Sequence, residues 1–164
     1  MLNPFKQRKI GTESIMGLWA RLKKLPGGKA LFSKAIGRTA PYTGTIGARV
    51  IHLEPGTARL TMADRPAVRN HLKSVHAIAL ANFIEETTGL AMMSNMPDEC
   101  RGIVTKIEVE YLKKARGLLT AESTAPQVDP TTSGEYFVTT DVVNESGEVV
   151  ARGGAHWKIG PRPA

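Results

Sequence analysis

The sequence carries a single cysteine, Cys100, among 164 residues. An intramolecular disulfide and a cysteine-built metal site are thereby excluded, which fits a reducing compartment. No base stands at a spacing that would activate the thiol, so Cys100 reads as an ordinary buried or half-buried side chain. Long apolar runs are missing too. No segment approaches the roughly 18 uninterrupted apolar residues of a membrane-spanning helix. The opening "MLNPFKQRKIGTESIMGLWARLKKL" is too charged for the apolar stretch of a secretory signal. A soluble, cytoplasmic protein is expected. Internal repeats and low-complexity tracts are absent. Acidic residues are scarce in one place: residues 1–40 hold nine Lys or Arg against one acid, and the remainder thirteen against fourteen. The net charge of +7 therefore belongs to the N-terminal segment.

What is present, with 41% hydrophobic residues, suits one globular domain with a single sizeable core. The organisation reads as a basic helical extension over residues 1–40 and a main domain over residues 41–164. In the extension, Ile15, Leu18, Trp19, Leu22 and Leu25 recur at helical spacing, with Arg21, Lys23 and Lys24 on the other side. Thr12 is placed to cap this helix and "LPGG" at 25–28 to end it. Docking on the main domain, lying on a membrane surface and targeting are three roles open to such a segment. Docking is favoured over membrane contact, because a second short helix, "KALFSKAIG", follows at once and "GRTAPYTG" leads into a strand. Nucleic acid is not an expected partner, since Trp19 sits on the apolar face and the basic residues lack aromatic or motif support.

Beyond residue 43, "TGTIGARVIHLEPG" and "TARLTMADR" read as two strands turning at "EPG". Four more strand candidates follow a helix: "RGIVTKIEVEYLKKARG", "LLTAESTA", "GEYFVTTDVVNESG" and "EVVARGGAHWKIG". In the first of these Ile103, Ile107, Val109 and Tyr111 alternate with Lys106, Glu108 and Glu110, which predicts a core face and a wet face. The turn "NESG" makes a hairpin of the last two. An antiparallel sheet with one face to cover and one long apolar helix to cover it is an α+β domain, a curved sheet wrapped around a central helix. Its edge strands would expose unpaired backbone groups, which favours a homo-oligomer.

The helix lies in "NHLKSVHAIALANFIEETTGLAMM", residues 70–93. Ile78, Leu80, Phe83, Ile84, Leu90, Met92 and Met93 account for burial, and Glu85 and Glu86 stand among them. Adjacent helical positions are about 100° apart, so the two carboxylates point in different directions. One can face inward while the other meets water, or both can lie on an exposed stripe. An inward carboxylate would have its pKa raised, which suits a general base. Taken alone, Asn70 reads as a turn or capping residue and His76 as a structural loop histidine. His52 and His156 lack acidic or cysteine partners at metal-ligand spacing, so no metal is expected. Met92 and Met93, with Met96, read as core or helix-end packing, or alternatively as the wall of an acyl pocket. Arg65 and Arg69 flank the loop as solvent charges or as holders of an anionic substrate. In "YLKKARG", Lys113, Lys114 and Arg116 form either a solvated turn or a cradle for phosphates.

Across about residues 41–160 the sequence resembles the hotdog-fold acyl-CoA thioesterases, most closely the branch labelled DUF4442. The order of two strands, helix and four strands is similar, and so is one spacing: Asn70 precedes His76 by six, and Glu85 follows His76 by nine. The resemblance implies a hotdog fold and hydrolysis of an acyl-CoA thioester at a subunit interface of a dimer or tetramer, with coenzyme A only as part of the substrate and no cofactor. It assigns Glu85 as general base or nucleophile, the Ala77 N–H as donor to the thioester carbonyl, and Asn70, His76 and Thr88 as accessory groups. Lys113, Lys114 and Arg116 would hold the coenzyme A phosphates. The family pattern often has glycine where this chain has Lys73, a His-Gly-Gly helix start where it has His76, Ala77 and Ile78, and threonine where it has Gly89. A dehydratase, from the fourteen-residue spacing of His71 and Glu85, and a non-catalytic acyl-CoA or lipid-binding module are the alternatives.

Overall fold

The computed structural model describes residues 12–162, with side chains from Ser14 onward. Two helices come first, α1 (Thr12–Leu22) and α2 (Gly28–Thr39), then a 3-10 turn at Thr43–Ile46. Strands β1 (Arg49–Glu54) and β2 (Thr57–Ala63) precede helix α3 (Ala77–Met93). Strands β3 (Cys100–Tyr111), β4 (Leu118–Thr124), β5 (Gly134–Val143) and β6 (Val149–Pro161) complete the chain. All strand pairings are antiparallel, in the order β1-β2-β4-β5-β6-β3. Helix α3 lies across the inner face against β2, β4, β5 and β6. This is the α+β architecture expected from the element order, and the hotdog arrangement that the family resemblance implies.

The hairpins form where turn chemistry requires them. Gly56 takes φ +79° between β1 and β2, and the Asn144 side-chain oxygen accepts the N–H groups of Ser146 and Glu148 between β5 and β6. The core joins Val50, Leu60 and Met62 of the first hairpin with Leu80, Phe83, Ile84 and Met92 of α3.

The N-terminal helices dock. Ile15 and Trp19 are buried in the same core cluster, and the Trp19 ring meets Phe32 edge-on at 5.1 Å. Ser33 Oγ accepts the Val50 N–H at 2.9 Å, and Lys29 Nζ donates to the Ile51 carbonyl at 2.7 Å, tying α2 to β1. Leu25, expected on the apolar stripe, lies past the end of α1 and is exposed. Helix α1 begins at Thr12, whose side chain, and hence the cap expected from it, lies outside the described residues.

Strand β3 departs from its expected pattern. A bulge between Val104 and Lys106 inserts one residue and changes which side chains share a face. Ile103 pairs with exposed Lys158 on the outer side, whereas Ile107, Val109 and Tyr111 pair with Ala155, Gly153 and Ala151 on the helix side. Even there α3 covers the edge strand only in part: the Tyr111 hydroxyl reaches the start of the helix, and Ile107 and Tyr111 remain 44% and 48% exposed. Ile78, expected to be buried, is 54% exposed at the start of α3. An apolar surface is thus left open along the β3 edge.

Candidate functional site

The approach to α3 is a tightly closed loop. Asn70 Oδ1 accepts the N–H groups of Leu72 and Ser74 at 2.9 and 3.3 Å and the Ser74 hydroxyl at 3.2 Å. Arg116 donates to the Lys73 and Leu72 carbonyls, and the Val75 N–H reaches the Ala115 carbonyl at 2.9 Å. The segment after β3 therefore holds this loop in place. Lys73 sits at φ +54°, the one non-glycine residue with positive φ among the described residues, which explains why glycine is at home there.

His76 caps the helix. Its ring Nδ1 accepts the Ile78 N–H at 3.1 Å while its backbone is extended, satisfying one of the N–H groups that every helix start leaves without an intrahelical partner. The Ala77 N–H is the first of these groups, and the Ala77 carbonyl accepts the Tyr111 hydroxyl at 3.0 Å. Ala77 and Glu85 stand eight residues apart on one helix, about 12 Å along its axis.

Neither carboxylate lies on an exposed stripe. Glu85 is half-buried and Glu86 is 6% exposed, and both line a cavity of about 220 Å³ with Ile15, Ile36, Leu90, Met93 and Trp157. A methyl group placed on Gly89 would lie 3.5 Å from Cζ2 of Trp157 and 3.9 Å from Oε1 of Glu85, so acid and indole converge on that glycine. Burial raises the Glu85 pKa. The Glu86 carboxyl, more deeply buried and beside the Glu85 charge, is pushed up to about 8.

The other expected residues fall in different places. Thr88 is fully buried and its hydroxyl donates to the Ile84 and Glu85 carbonyls at 2.9 and 3.1 Å, a main-chain commitment. Met92 is packed in the core, whereas Met93 reaches the cavity. Lys113 pairs with Glu148 at 2.6 Å, Lys114 is exposed, and Arg116 serves the loop. Arg69 pairs with Asp64 at 2.7 Å, and Arg65 donates to the Thr45 carbonyl. Trp157 was missed by sequence reasoning: twelve residues past Glu145 in a strand of small residues, it carried no motif signal, and only sheet closure brings it under α3.

The family model described as "Domain of unknown function (DUF4442)" matches residues 28–159. The chain belongs to the DUF4442 family. The match takes in α2, and with it part of the helical pair that packs over the cavity of this DUF4442 protein. Among solved structures, the structural-genomics protein APC5556 is 30% identical with a TM-score of 0.78, covering 90% of this chain and 99% of its own. A Pseudomonas aeruginosa protein named a probable thioesterase is 23% identical with a TM-score of 0.70, covering 84% and 97%. A thioesterase family protein from Silicibacter pomeroyi is 20% identical with a TM-score of 0.67, covering 79% and 96%. These likenesses establish the hotdog fold for the DUF4442 chain. A comparison with curated proteins finds no match.

His156 does find an acid: Glu108 of β3 lies 2.8 Å from its Nε2, a cross-strand pair that sequence spacing does not display. Among the described residues, no three His, Cys, Asp or Glu side chains gather as a metal site would require, and no helix is long and apolar enough to cross a membrane.

Proposed function

We propose that this DUF4442 protein hydrolyses an acyl-CoA type thioester, with Glu85 as the base that activates water. The observation that carries the reading is the Glu85 carboxyl itself, half-buried at the wall of a largely apolar cavity on the central helix, with its pKa raised by burial. A desolvated carboxylate is a better proton acceptor than one in water. Water loses a proton to Glu85 as its oxygen bonds to the thioester carbon; the C–S bond then breaks, and the departing thiolate takes that proton, releasing coenzyme A and the carboxylic acid and restoring the Glu85 carboxylate.

The negative charge that develops on the carbonyl oxygen needs a donor, and the Ala77 N–H at the positive end of α3 suits it. Along one helix that donor and Glu85 are about 12 Å apart, too far to serve one carbonyl group. The reading therefore requires a second copy that brings its own Ala77 to this Glu85. The long uncovered edge of β3 and the exposed Ile78, Ile107 and Tyr111 support such a homodimer, since unpaired strand edges and apolar surface call for cover. His76 and Asn70 act here as positioning residues for the helix start. Lys113 and Lys114, on the segment whose Ala115 and Arg116 brace the Asn70 loop, are the cations that would hold the coenzyme A phosphates.

The test is release of free thiol from short, medium, long and aromatic acyl-CoA esters, by wild type and by Glu85→Gln. Saturable release is expected from wild type, with kcat lowered in the variant by about 10²–10⁴. Absence of release from every ester, with the protein folded and dimeric, would overturn the reading, and retained ester binding in that case would indicate a non-catalytic binding module.

A further inference from the structure

The cavity beside Glu85 holds more polarity than hydrolysis uses. Among the described residues, two buried side-chain polar atoms have no hydrogen-bond partner, Oε2 of Glu86 and Nε1 of Trp157. Both residues line this cavity, Glu86 a second one beside α2 as well, and the two atoms themselves expose almost no surface, so a ligand meets them as the carboxyl and the indole turn toward it. The two residues are 6% and 7% exposed, and leaving such a group unpaired costs about 1–3 kcal/mol. Two unpaired groups in one lining are the mark of a site that a ligand completes. The remaining wall is mainly aliphatic, with Ile15 and Ile36 from the N-terminal helices facing Leu90 and Met93 of α3. A volume of about 220 Å³ holds about seven non-hydrogen atoms, taking roughly 30 Å³ for each as for liquid water.

We propose that this cavity receives the acyl chain of the thioester and selects a short aliphatic acyl group bearing an oxygen substituent, hydroxyl or ketone, bound by Glu86 and Trp157. The proposal rests on the thioesterase reading, because it places the thioester carbon at Glu85 and the substituent a few bonds further in. An indole N–H can only donate, so the ligand atom opposite Trp157 must accept. A protonated carboxyl donates from one oxygen and accepts at the other. A hydroxyl can therefore accept from the indole while donating to Glu86, and a ketone can accept from both. An unsubstituted alkyl chain fills the same volume but leaves both groups unpaired. Sites built to hydrogen-bond a substrate oxygen discriminate strongly against analogues that lack it.

Three esters of equal length separate the possibilities: hexanoyl-CoA, 3-hydroxyhexanoyl-CoA and 3-oxohexanoyl-CoA. Wild-type kcat/KM should favour at least one oxygenated ester over hexanoyl-CoA by about tenfold or more, as 1.4 kcal/mol of hydrogen bonding would give. The better of the two identifies the substituent. Trp157→Phe keeps the ring and removes the donor, and should bring that ratio toward one. Glu86→Gln, close to isosteric, is the second variant and should change the ratio between hydroxy and oxo esters. Binding of the three esters to Glu85→Gln, measured by calorimetry, reads the preference without turnover. Hydrolysis without preference would overturn the pocket proposal and leave the thioesterase reading in place. Preferential binding without hydrolysis would do the reverse. Equal binding of all three esters, or binding of none, would overturn the pocket.

Discussion

At the scale of single residues, the question is why two adjacent acids occupy the most apolar helix of the chain. Both line one cavity, Glu86 a second one as well, and the deeper of them, Glu86, retains its proton to about pH 8. Its pKa in the fold lies above that of the unfolded chain, so between the ordinary carboxylate value and about 8 the folded state binds more protons. Stability therefore falls as pH rises through that window. At pH 7 the loss amounts to roughly 3 kcal/mol. Urea unfolding of Glu86→Gln should show a flatter decline from pH 5 to pH 8 than wild type. Glu85 must be ionised to accept a proton, so the acidic limb of kcat/KM should lie above the usual carboxylate range, as burial raises its pKa. A pH–rate profile whose acidic limb stays at the free-carboxylate position would argue against Glu85 as base. Lys73, at φ +54°, is a third residue-scale test. Lys73→Gly should stabilise the protein by about 0.5–1 kcal/mol, because the left-handed conformation costs an L-residue about 1–2 kcal/mol and glycine returns part of that in chain entropy. Thermal unfolding measures it.

At the scale of elements, α1 acts as a structural wall. Trp19 is buried against Phe32, and Ile15 of the same helix closes the cavity. Trp19→Ala should cost about 3–5 kcal/mol in denaturant unfolding and should also raise KM for acyl esters by loosening the Ile15 wall. Strand β3 presents the opposite case: Cys100 is buried and Val104 and Val109 pack on the core, but Ile103, Ile107 and Tyr111 stay largely exposed within one chain. A charge there should break the proposed homodimer. Ile107→Lys is expected to shift the protein from dimer to monomer in light scattering and, since the proposed site draws on two copies, to abolish thiol release together with the dimer. A monomeric variant of full activity would contradict the two-copy site. The alternation along β3 was legible in the sequence as a strand, but its inner and outer faces were not. One inserted residue near Thr105 turns Ile103 outward, and a bulge leaves no mark in a pattern of apolar and polar letters.

At the scale of the whole molecule, sheet closure sets the basic segment after β3 beside the loop before α3, through Arg116 and the Ala115 carbonyl. This is what joins the proposed phosphate contacts to the proposed carbonyl donor. Lys113→Ala combined with Lys114→Ala should raise KM for acyl-CoA several-fold and leave the corresponding acyl-pantetheine ester unaffected, since only the former carries the phosphates. An unchanged KM for acyl-CoA would remove these lysines from the site.

The order of strands and helix, the hairpin turns and the amphipathic character of α1 follow from the sequence alone, because periodicity and turn chemistry act over a few residues. Glu85 and Glu86 stood out together for the same reason, as charges within a local apolar run, and the family resemblance singled out Glu85. Three features required the tertiary structure: the greater burial of Glu86 than Glu85, the position of Trp157 beneath Gly89, and the incomplete cover over the inner face of β3. Each depends on which distant segments pack together, and desolvation depends on the density of atoms around a group, whatever its neighbours along the chain.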